Sequence, residues 1–584
     1  MSQTLVIVNM GTCGISSGSQ GVLDSLLKLE AVKIKATGCI GLCALEPTVF
    51  VCQDNRITAV SFLTDKEQDK ESIKTLCNTG VIDKNILDRV FYDGTKEELF
   101  NTVFKGQKRI VLRNAGLIDP MNIDDYIAVG GYSFLDKCKK GEVSAEQVLN
   151  FVETSGLRGR GGAGFPTSKK WRMLAERISD EKYIVCNGDE GDPGAFMDRS
   201  VLEGDPHSVL EGMQVAAFAT GATKCFIYVR AEYPLAIKTL NKAISDIDDK
   251  GLLSVPFEIR EGAGAFVCGE ETALMASIEG KRGMPRFRPP YPVDKGLWGK
   301  PTIINNVETF AAVPWIVSNP GEYEKTGYEK SRGTKVFALA GKIKRGGLVE
   351  VPFGISLKDL VFDVGKGMYS DKPFKAVQIG GPSGGCLPYD CLNTPVDYEK
   401  LKELGAIVGS GGLVVMDEDS CMVDIAKFFL GFISHESCGK CTFCRVGTKR
   451  MLELVEKITL GKADEQTVPK LLELADAVSK LSLCGLGQTA PNPIITTLKY
   501  FKDEYNEHIN DKKCRAGVCS SLITYSILSE KCVGCMLCKK ECPVGAITEL
   551  EVLKGKKICV LDQTKCIKCG RCYKACKFSA VLKG

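Results

Sequence analysis

The cysteines near the C-terminus carry the clearest chemical signal in the sequence. They form two copies of one spacing, C-x2-C-x2-C-x3-C, which begin at Cys532 and at Cys566. Thiolates at this spacing bind [4Fe–4S] clusters, and in paired runs the fourth cysteine of each run belongs to the other cluster. The spacing therefore predicts two clusters, one held by Cys532, Cys535, Cys538 and Cys576, and the other by Cys566, Cys569, Cys572 and Cys542.

A second cysteine group lies upstream. Cys438, Cys441 and Cys444 follow one another at C-x2-C-x2-C, and Cys484 comes much later in the chain. Three close thiols and one remote thiol are typical of a single [4Fe–4S] cluster, whereas zinc more often uses paired C-x2-C knuckles. We therefore predict a third [4Fe–4S] cluster, followed by helix-compatible sequence.

His508, Cys514 and Cys519 lie between these two groups and belong to neither. Nitrogen and sulfur ligands so close together suit tetrahedral zinc, and a short connector with little apolar sequence would gain order from a metal. The spacing matches no common zinc motif, and Cys421 is a candidate fourth ligand only by elimination. A surface histidine with two ordinary thiols, or an additional iron–sulfur cluster, are the alternatives to the zinc connector that we predict.

A glycine-rich stretch at residues 156–171 is the next chemical feature, with five glycines in nine residues before a basic run. Such a loop opening onto a helix presents N–H groups and a positive dipole end to a phosphate. Alone the signal is weak, because a glycine-rich loop is more often a turn than a cofactor site. Three further segments accompany it, at residues 186–199, 262–280 and 302–309.

Together these four segments resemble the flavin- and nicotinamide-binding subunit of respiratory complex I and its soluble hydrogenase and formate dehydrogenase relatives. The resemblance covers roughly residues 116–500. It implies that the chain binds FMN and NAD or NADP. The residues that it assigns to the FMN phosphate are Gly159, Gly161, Gly162 and Lys170, and those that it assigns to the ribityl chain and the ring are Asn187, Asp189, Glu190, Gly269, Glu270, Asn305 and Asn306.

The same resemblance puts Glu271 and Phe165 on the nicotinamide side. Residues 286–292 differ from the family segment, in which a lysine and a phenylalanine are usual, so Arg288 and Tyr291 are the candidates there. A guanidinium at this place could suit a 2′-phosphate. No catalytic acid or base is predicted, because hydride passes directly between nicotinamide and flavin.

The elements around these motifs predict how they are positioned. Residues 180–186 and 224–230 are β-rich runs and residues 209–220 form a helix-compatible apolar run, so an α/β, Rossmann-like arrangement is expected, with glycine-rich turns at the strand ends. Residues 335–351 predict a strand pair around a Gly-Gly turn and resemble the ubiquitin-like β-grasp domain of the family. Residues 380–385 lack the ending of a P-loop, which favours a structural turn.

The N-terminal region predicts strands at residues 3–9 and 48–52. With Cys13, Cys39 and Cys43 it resembles the thioredoxin-like [2Fe–2S] domain of family relatives, which normally supplies four cysteines. The expected early partner of Cys13 is replaced by Val8 or Asn9. Cys52, Ser17 or an exogenous group could complete a cluster, or the domain could be an empty structural relic.

The length of 584 residues exceeds one core, and we expect a multidomain α/β protein. The predicted domains are a thioredoxin-like domain at 1–64 with a possible [2Fe–2S] cluster, a connector at 65–115, an FMN and NAD(P) domain at 116–325, a β-grasp domain at 326–415, a helical [4Fe–4S] domain at 416–505, a possible zinc connector at 506–525 and a two-cluster ferredoxin domain at 526–584.

Composition excludes several classes of protein. A net charge of +4 with 25% charged residues gives no strong field for nucleic acid, and the sequence contains no apolar run of transmembrane length. The N-terminus lacks the features of a signal peptide, so the 27 cysteines favour metal ligands over secreted disulfides. We expect a cytoplasmic protein that does not insert into membranes.

The most similar family members are the β subunits of electron-bifurcating [FeFe]-hydrogenases and of NAD-linked formate dehydrogenases, because the complex I subunit lacks the ferredoxin tail. The resemblance implies three kinds of partner: a catalytic subunit with a hydrogenase or formate dehydrogenase centre, a small thioredoxin-like [2Fe–2S] subunit, and ferredoxin. A non-catalytic electron-relay and assembly subunit with a degenerate flavin site is the alternative. The choice between NADH and NADPH stays open.

Overall fold

The computed structural model describes residues 4–29, 32–552 and 556–583 of the chain. Within these residues, no helix combines the length and the apolar content needed to cross a membrane. The chain divides into two compact units. The first consists of Met1–Asp371, Ala376–Val415 and Leu483–Gly485, and the second of Lys372–Lys375, Met416–Ser482 and Leu486–Gly584.

An N-terminal domain opens the first unit with a five-stranded sheet in the order β2-β1-β3-β4-β5, in which only the pair of β1 and β2 is parallel. Its elements are β1 (Leu5–Asn9), α1 (Thr12–Ser17), α2 (Ser19–Leu26), β2 (Lys33–Thr37), β3 (Val49–Gln53), β4 (Arg56–Val60), α3 (Glu67–Thr79), β5 (Val90–Thr95) and α4 (Lys96–Thr102). Val6 and Val8 of β1 are fully buried. The sheet extends beyond residue 64. Strand β5, which lies inside the predicted connector 65–115, pairs with β4.

The next domain is built on four parallel strands in the order β8-β7-β6-β9. Its elements are α5 (Ile123–Ala128), α6 (Ser133–Lys139), α7 (Ala145–Thr154), α8 (Thr167–Ala175), β6 (Tyr183–Gly188), α9 (Met197–Gly204), α10 (Pro206–Thr220), β7 (Lys224–Arg230), α11 (Pro234–Asp249), β8 (Phe257–Gly262), α12 (Glu271–Ile278), β9 (Thr302–Asn306) and α13 (Val307–Ser318). Parallel strands that alternate with helices confirm the predicted α/β arrangement of this region.

Helix α10 is the central helix of this domain, and nearly all of its residues are buried. Asp205 caps its start by accepting a hydrogen bond from Ser208 N, and Pro206 occupies the first turn, where a missing N–H costs nothing. Gly212 lets the helix approach α13 closely, since a Cβ there would lie 2.1 Å from Phe310 O. A helix that is apolar all round has to be covered on every side.

A mixed five-stranded sheet follows, in the order β13-β12-β16-β14-β15, with β12 and β16 parallel and β12 and β13 antiparallel. The elements of this region are β10 (Gly327–Tyr328), β11 (Ser331–Arg332), β12 (Thr334–Gly341), β13 (Gly347–Pro352), β14 (Phe374–Ile379), β15 (Gly385–Pro388), α14 (Tyr398–Glu403) and β16 (Gly412–Asp417). The predicted strand pair at 335–351 is therefore present. In the turn after β14, a Cβ on Gly381 would lie 2.5 Å from the Asp192 carboxylate, an arrangement that suits a structural turn and repels a phosphate.

The second unit begins with a helical domain and ends with a small domain of two antiparallel strand pairs. The helices are α15 (Met422–His435), α16 (Thr448–Thr459), α17 (Thr467–Leu481), α18 (Gly485–Thr489), α19 (Asn492–Tyr500) and α20 (Lys502–Asn506). The C-terminal elements are β17 (Tyr525–Ile527), α21 (Leu537–Lys540), β18 (Ile547–Val552), β19 (Lys556–Leu561), α22 (Arg571–Ala575) and β20 (Val581–Lys583). Strand β17 pairs with β20 and β18 pairs with β19.

We expect Gly212→Ala to destabilise the first unit. The added methyl group would force α10 and α13 apart, and overpacking of this kind costs about 1–3 kcal/mol. The unfolding temperature of the first unit should fall by roughly 1–3 °C in differential scanning calorimetry, because a unit of this size has a large unfolding entropy. Gly431→Ala is the matched control, because its Cβ would meet only Leu452 Cδ1, at 3.9 Å. An unchanged transition in Gly212→Ala would contradict the close packing of the two helices.

Candidate functional site

The carboxyl ends of β6 and β9 define the main candidate site. These neighbouring strands lie where the strand order reverses, because β7 and β8 extend the sheet on one side of β6 and β9 lies on the other. Asn187 and Asn306 are register partners at the ends of β6 and β9. Ligands of open α/β sheets bind in the crevice outside such a switch point.

The glycine loop between α7 and α8 approaches this switch point. A Cβ on Gly161 would lie 3.2 Å from Asn306 Cβ, and a Cβ on Gly162 would lie 3.2 Å from the backbone of Gly409. Gly162 has a φ of +114°, which favours glycine, and Gly159 N donates to Phe165 O at 2.8 Å, closing the loop. The loop is therefore shaped by close backbone approach on two sides.

Arg160 holds the glycine loop from beneath, although no sequence pattern had singled it out. Its side chain is 1% exposed. Its Nε donates to Thr334 O at 3.0 Å, its Nη2 donates to the Tyr323 hydroxyl at 2.8 Å, and its backbone N–H donates to Thr309 Oγ1 at 2.9 Å. Arg160 is thus a structural residue whose guanidinium is engaged within the protein.

Helix α8 begins directly after the loop and has no side-chain cap. The Thr167 hydroxyl at its first position is buried and, among the described residues, has no hydrogen-bond partner. Free N–H groups at a helix start attract an anion through the helix dipole. Lys170 lies one turn further along, where its Nζ is 3.2 Å from Ile304 O and 3.4 Å from Glu271 Oε2.

Buried carboxylates form the floor of the site near β6. Glu190 accepts hydrogen bonds from the backbone N–H groups of Asp198 and Arg199, both at 3.1 Å, and burial raises the pKa of its carboxyl to about 7. Asp198 accepts a hydrogen bond from Asn306 Nδ2 through one oxygen, while its other oxygen is buried without a partner among the described residues. Burial and the charge of Glu190 also raise the pKa of Asp198.

The other predicted contact residues lie on the same edge of the sheet. Asn187 Nδ2 donates to Gly269 O at 2.9 Å, and a Cβ on Gly269 would lie 3.5 Å from Asp189 O. Asn305 Oδ1 instead accepts from Trp171 Nε1 at 3.1 Å, so its side chain faces α8. The segments containing these residues are thus brought together.

Glu270 and Glu271 have different roles, although they are adjacent. Glu270 caps α12 by accepting from the N–H groups of Thr272 and Ala273, both at 3.0 Å. Glu271 receives Arg288 Nη1 at 2.5 Å, in addition to Lys170.

The predicted nicotinamide side is open to solvent. Phe165 and Tyr291 are 43% and 52% exposed, and the Arg288 side chain is also exposed. Exposed aromatic rings leave faces on which a planar ligand can stack.

A buried ion pair that no sequence motif had indicated lies beneath the switch point. Glu308, in the first turn of α13, pairs with Lys335 Nζ on β12, and both side chains are at most 1% exposed. Glu308 Oε1 also accepts from Val336 N at 2.9 Å. Only the folded chain brings these two distant residues together, so no local sequence pattern could have revealed the pair.

Three members of the upstream cysteine group, Cys438, Cys441 and Cys444, lie in the helical domain. Cys444 is buried in a π-helical turn, Phe443–Gly447, that leads into α16, and its Sγ lies 3.2 Å from Ser437 Oγ. Gly487 follows Cys484 by three residues, and a Cβ there would lie 3.0 Å from Cys444 Cβ. Cys438 and Cys441 are half-buried, and Cys484 is buried. The chain that follows Cys484 therefore reaches the C-x2-C-x2-C turn.

The C-terminal domain contains two small cavities lined by its cysteines. The first is lined by Cys532, Cys535, Cys538 and Cys576, and the second by Cys542, Cys566, Cys569 and Cys572. The structure thus divides the eight cysteines into the two sets that the spacing predicts. Cys535 and Cys569 are the exposed members of their sets.

Backbone N–H groups point at several of these thiols. Ala546 N lies 3.2 Å from Cys542 Sγ, Ala580 N lies 3.3 Å from Cys576 Sγ, and Cys559 N lies 3.3 Å from Cys532 Sγ. Such hydrogen bonds to sulfur tune the reduction potential of an iron–sulfur cluster. Cys559 also lines the first cavity, a ninth cysteine that lies outside the repeated spacing.

Three thiols of the N-terminal domain also come together. Cys39 Sγ and Cys43 Sγ are 3.6 Å apart, and hydrogen bonding to Cys43 lowers the pKa of Cys13 to about 6, with help from Arg199. Arg199 Nη2 lies 3.9 Å from Cys13 Sγ.

Of the candidate fourth ligands of this N-terminal group, Cys52 lies away from Cys13, whereas Ser17 lies one turn after Cys13 on the same helix. Cys52 pairs with Leu5 at the opposite end of β1 from Cys13, and Ser17 is exposed at the end of α1. Asn9, at the position of the missing cysteine, donates to Glu46. The described residues therefore bring three thiols together here, those of Cys13, Cys39 and Cys43.

His508, Cys514 and Cys519 form a buried four-residue group with Cys421. One ligand atom from each lies within 4.8 Å of all the others. His508 Nε2 is 3.3 Å from both Cys421 Sγ and Cys519 Sγ. Hydrogen bonding to Cys421 holds the pKa of the Cys514 thiol well below its ordinary value.

A hydrogen bond to the backbone fixes the orientation of the histidine ring in this group. His508 Nδ1 lies 2.7 Å from the Glu504 carbonyl oxygen, which leaves Nε2 facing the thiols. Metal-binding histidines are commonly held by a hydrogen bond of this kind. Three thiols and one imidazole in a closed, buried arrangement are the ligand set of structural zinc sites.

Three family models match parts of the chain. The Nuo51 FMN-binding domain matches residues 152–315, the NADH-ubiquinone oxidoreductase-F iron-sulfur binding region matches residues 424–508, and the 4Fe-4S dicluster domain matches residues 531–580. The first of these contains the glycine loop and the switch point, and the other two contain the cysteine groups of the second unit.

Curated relatives extend the similarity. NADP-reducing hydrogenase subunit HndC from Solidesulfovibrio fructosivorans is 54% identical over 457 residues, which cover 76% of this chain and 93% of HndC. The F 2 component of NADH-quinone oxidoreductase from Rhizobium meliloti is 39% identical over 415 residues, which cover 69% of this chain and 98% of that component. Among solved structures, the NAD+-reducing [NiFe]-hydrogenase in its H2-reduced state matches with a TM-score of 0.62 and 30% identity, covering 87% of this chain and 85% of that chain.

Proposed function

The chain belongs to the complex I 51 kDa family of FMN-binding subunits, and from this we propose that it oxidises NADH or NADPH as the diaphorase subunit of a cytoplasmic multi-subunit oxidoreductase. One observation carries the proposal. This single chain contains a glycine loop that packs against the switch point of a parallel sheet. It also contains three groups of cysteines at the spacings of iron–sulfur ligands.

The residues of the switch point fit FMN. The uncapped start of α8 and the unpartnered Thr167 hydroxyl suit the flavin phosphate, with Lys170 able to turn from Glu271 towards it. The unpartnered oxygen of Asp198 and the Asn306 amide suit polar groups of the ribityl chain. Bound FMN would accept two electrons as hydride and pass them on singly.

The nicotinamide would bind on the exposed side of this site. Phe165 and Tyr291 offer stacking faces there, and Arg288 offers a guanidinium for the negative charge of the dinucleotide. Glu271 holds Arg288 in place through their ion pair. These residues bind and orient the substrate, and none of them exchanges a proton with it.

Electrons would leave through three [4Fe–4S] clusters. Cys438, Cys441, Cys444 and Cys484 would hold one cluster, and the two cysteine sets of the C-terminal domain would hold the others. Their destination would be a partner with a hydrogenase or formate dehydrogenase centre, together with ferredoxin and a small thioredoxin-like [2Fe–2S] subunit. The likeness to HndC supports the hydrogenase partner, and flavin-based electron bifurcation between these acceptors is the finer form of the proposal.

The buried group of Cys421, His508, Cys514 and Cys519 would hold one structural zinc ion. It joins the residue before α15 to the segment that precedes the C-terminal domain. Leu522 of this segment already packs into the core of the helical domain, and a metal here would add a cross-link between the segment and that domain.

The first prediction tests the flavin and nicotinamide sites. The purified wild-type chain should contain FMN and reduce a dye with NADH or NADPH. The Arg288→Ala variant should raise the KM for the nicotinamide roughly 10-fold, because it removes a charge that binds the substrate equally in the ground state and the transition state. FMN content, measured by its absorbance after extraction, should not change. Lys281→Ala is the matched control, because Lys281 pairs with Glu279 instead of Glu271.

Two outcomes separate the parts of this prediction. If the wild-type chain contains no FMN and reduces no dye, the proposed diaphorase function is wrong and the electron-relay alternative is favoured. An unchanged KM for both NADH and NADPH in Arg288→Ala would sink only the role of Arg288.

The second prediction concerns the C-terminal domain. Deleting residues 526–584 from the complex should leave NADH-to-dye activity and abolish transfer to a low-potential ferredoxin, with a loss of about eight iron atoms per chain. Cys559→Ser is the control, since Cys559 lies beside the first cavity but outside both sets of four. Undiminished transfer to ferredoxin in the truncated complex would show that the domain is not on the electron path.

The third prediction concerns the metal in the helical domain. Metal analysis should find about one zinc per chain, and the double variant Cys514→Ser and Cys519→Ser, or Cys421→Ser alone, should lose it while retaining iron. Cys391→Ser, outside all the cysteine groups described, should keep the zinc. Iron without stoichiometric zinc in the wild-type protein would end this assignment.

A further inference from the structure

A cavity of about 560 Å³ in the first unit lies apart from the flavin site. It is lined on one side by Leu42, Leu45 and Phe91 of the N-terminal domain and on the other by Lys344, Arg345 and Lys366, which flank or follow the mixed-sheet strands. Small-molecule sites in proteins are about 300–1,000 Å³ in volume, so the cavity has the size of a ligand site.

The two walls of this cavity are joined by backbone hydrogen bonds. Ala44 N donates to Gly346 O and Leu348 N donates to Gly41 O, each at 3.1 Å. On the cationic wall, Lys344 N donates to Gly367 O at 2.9 Å, which sets Lys344 beside Lys366. The cavity is therefore a built feature of the fold, with walls fixed by main-chain contacts.

Arg345 is the most unusual group in the cavity wall. It is 9% exposed and lies over the Phe104 ring, 5.6 Å from the ring centroid; its Nη1 donates a hydrogen bond to the Val103 carbonyl oxygen, while Nε and Nη2 have no hydrogen-bond partner among the described residues. Burial, together with the positive charge of Arg109, lowers its pKa to about 10. A buried guanidinium with unmet donors and a second cation nearby is stabilised by an anion.

The charge of the lining is also unbalanced. Lys344 and Lys366 add two exposed ammonium groups to the buried guanidinium. Asp93 is the acidic residue of the lining, and its carboxylate is already engaged by Arg56, with Nε to Oδ1 at 2.7 Å. The cationic end therefore keeps a surplus of positive charge.

The opposite end of the cavity is apolar and aromatic. Phe91 is held edge-on against Phe50, with ring centroids 6.0 Å apart and planes at 89°. Leu42 is buried, and Leu45 is half-buried beside it. A flat apolar group could pack against this wall while a charged group reached the other end.

We propose that this cavity binds a nucleoside phosphate, with the phosphate held by Lys344, Arg345 and Lys366 and the base packed against Phe91, Leu42 and Leu45. Phosphate matches the surplus of cationic donors, because ammonium and guanidinium groups bind its oxygens by charge-assisted hydrogen bonds. The site is separate from the flavin loop, so the proposal does not depend on the function proposed above.

The test uses the assembled complex and ADP as the probe. Equilibrium dialysis measures the Kd of ADP, and photolabelling with azido-ADP followed by peptide mapping reports whether the label falls on residues 40–46 or 89–95. Mapping is needed because ADP also fits the adenosine part of a dinucleotide site. Inorganic phosphate should also compete with ADP for this cavity. It should need a higher concentration than ADP, because it contacts only the cationic end and not the apolar wall.

The decisive variant combines Lys344→Gln with Lys366→Gln. Both side chains are exposed, so the fold should be unaffected, and the Kd of ADP at the mapped site should rise at least about 10-fold. Lys358→Gln with Lys402→Gln, which removes two exposed charges elsewhere in the same domain, should leave it unchanged. Arg345→Gln should also weaken binding, provided that the variant unfolds at the wild-type temperature.

Three results would overturn the proposal. ADP could fail to label either peptide, or it could bind equally well to the decisive variant and to its control. It could also label the isolated chain but not the complex, which would identify the cavity as a surface between subunits. Labelling at the mapped peptides together with weaker binding in the decisive variant would support it.

Discussion

The buried pair of Glu308 and Lys335 is the interaction on which the first unit most depends. Both charges are removed from water, so the pair persists only if each partner stays in contact with the other. It fixes the start of α13 to β12, and Arg160 reaches from the glycine loop to Thr309 and Thr334, the neighbours of the pair. The position of the loop relative to β9 thus follows from a contact between the α/β domain and the mixed sheet, and not from the loop sequence alone.

Local features could be predicted from the sequence, and features created by tertiary contacts could not. Strand β7 and helix α10 follow directly from short β-rich and apolar runs, and thiol sets within one short segment follow from their spacing. Strand β5 was missed because its pairing with β4 joins residues that lie about thirty positions or more apart. The glycine loop was found as a motif, but the burial of Arg160 beneath it could not be inferred from five glycines and two arginines.

The fourth member of the buried group of Cys421, His508, Cys514 and Cys519 illustrates the same limit more sharply. Cys421 precedes His508 by 87 residues and lies in no motif, so elimination was the only route to it. In the structure it stands at the start of α15, where the buried histidine meets it across the helical domain. The N-terminal thiols show the opposite case. There the pattern suggested several fourth ligands, and the structure puts Cys52 at the opposite end of β1 from Cys13 and Ser17 one helical turn after it.

The exposure of Cys535 and Cys569 has a consequence for how this protein meets its surroundings. Each is the second cysteine of its run, and each lies at the surface while its companions are buried or half-buried. Thiolates open to solvent are the first to meet dioxygen and chelators. The clusters proposed for the C-terminal domain would therefore lose iron to dioxygen and chelators before a cluster whose thiolates are all buried or half-buried.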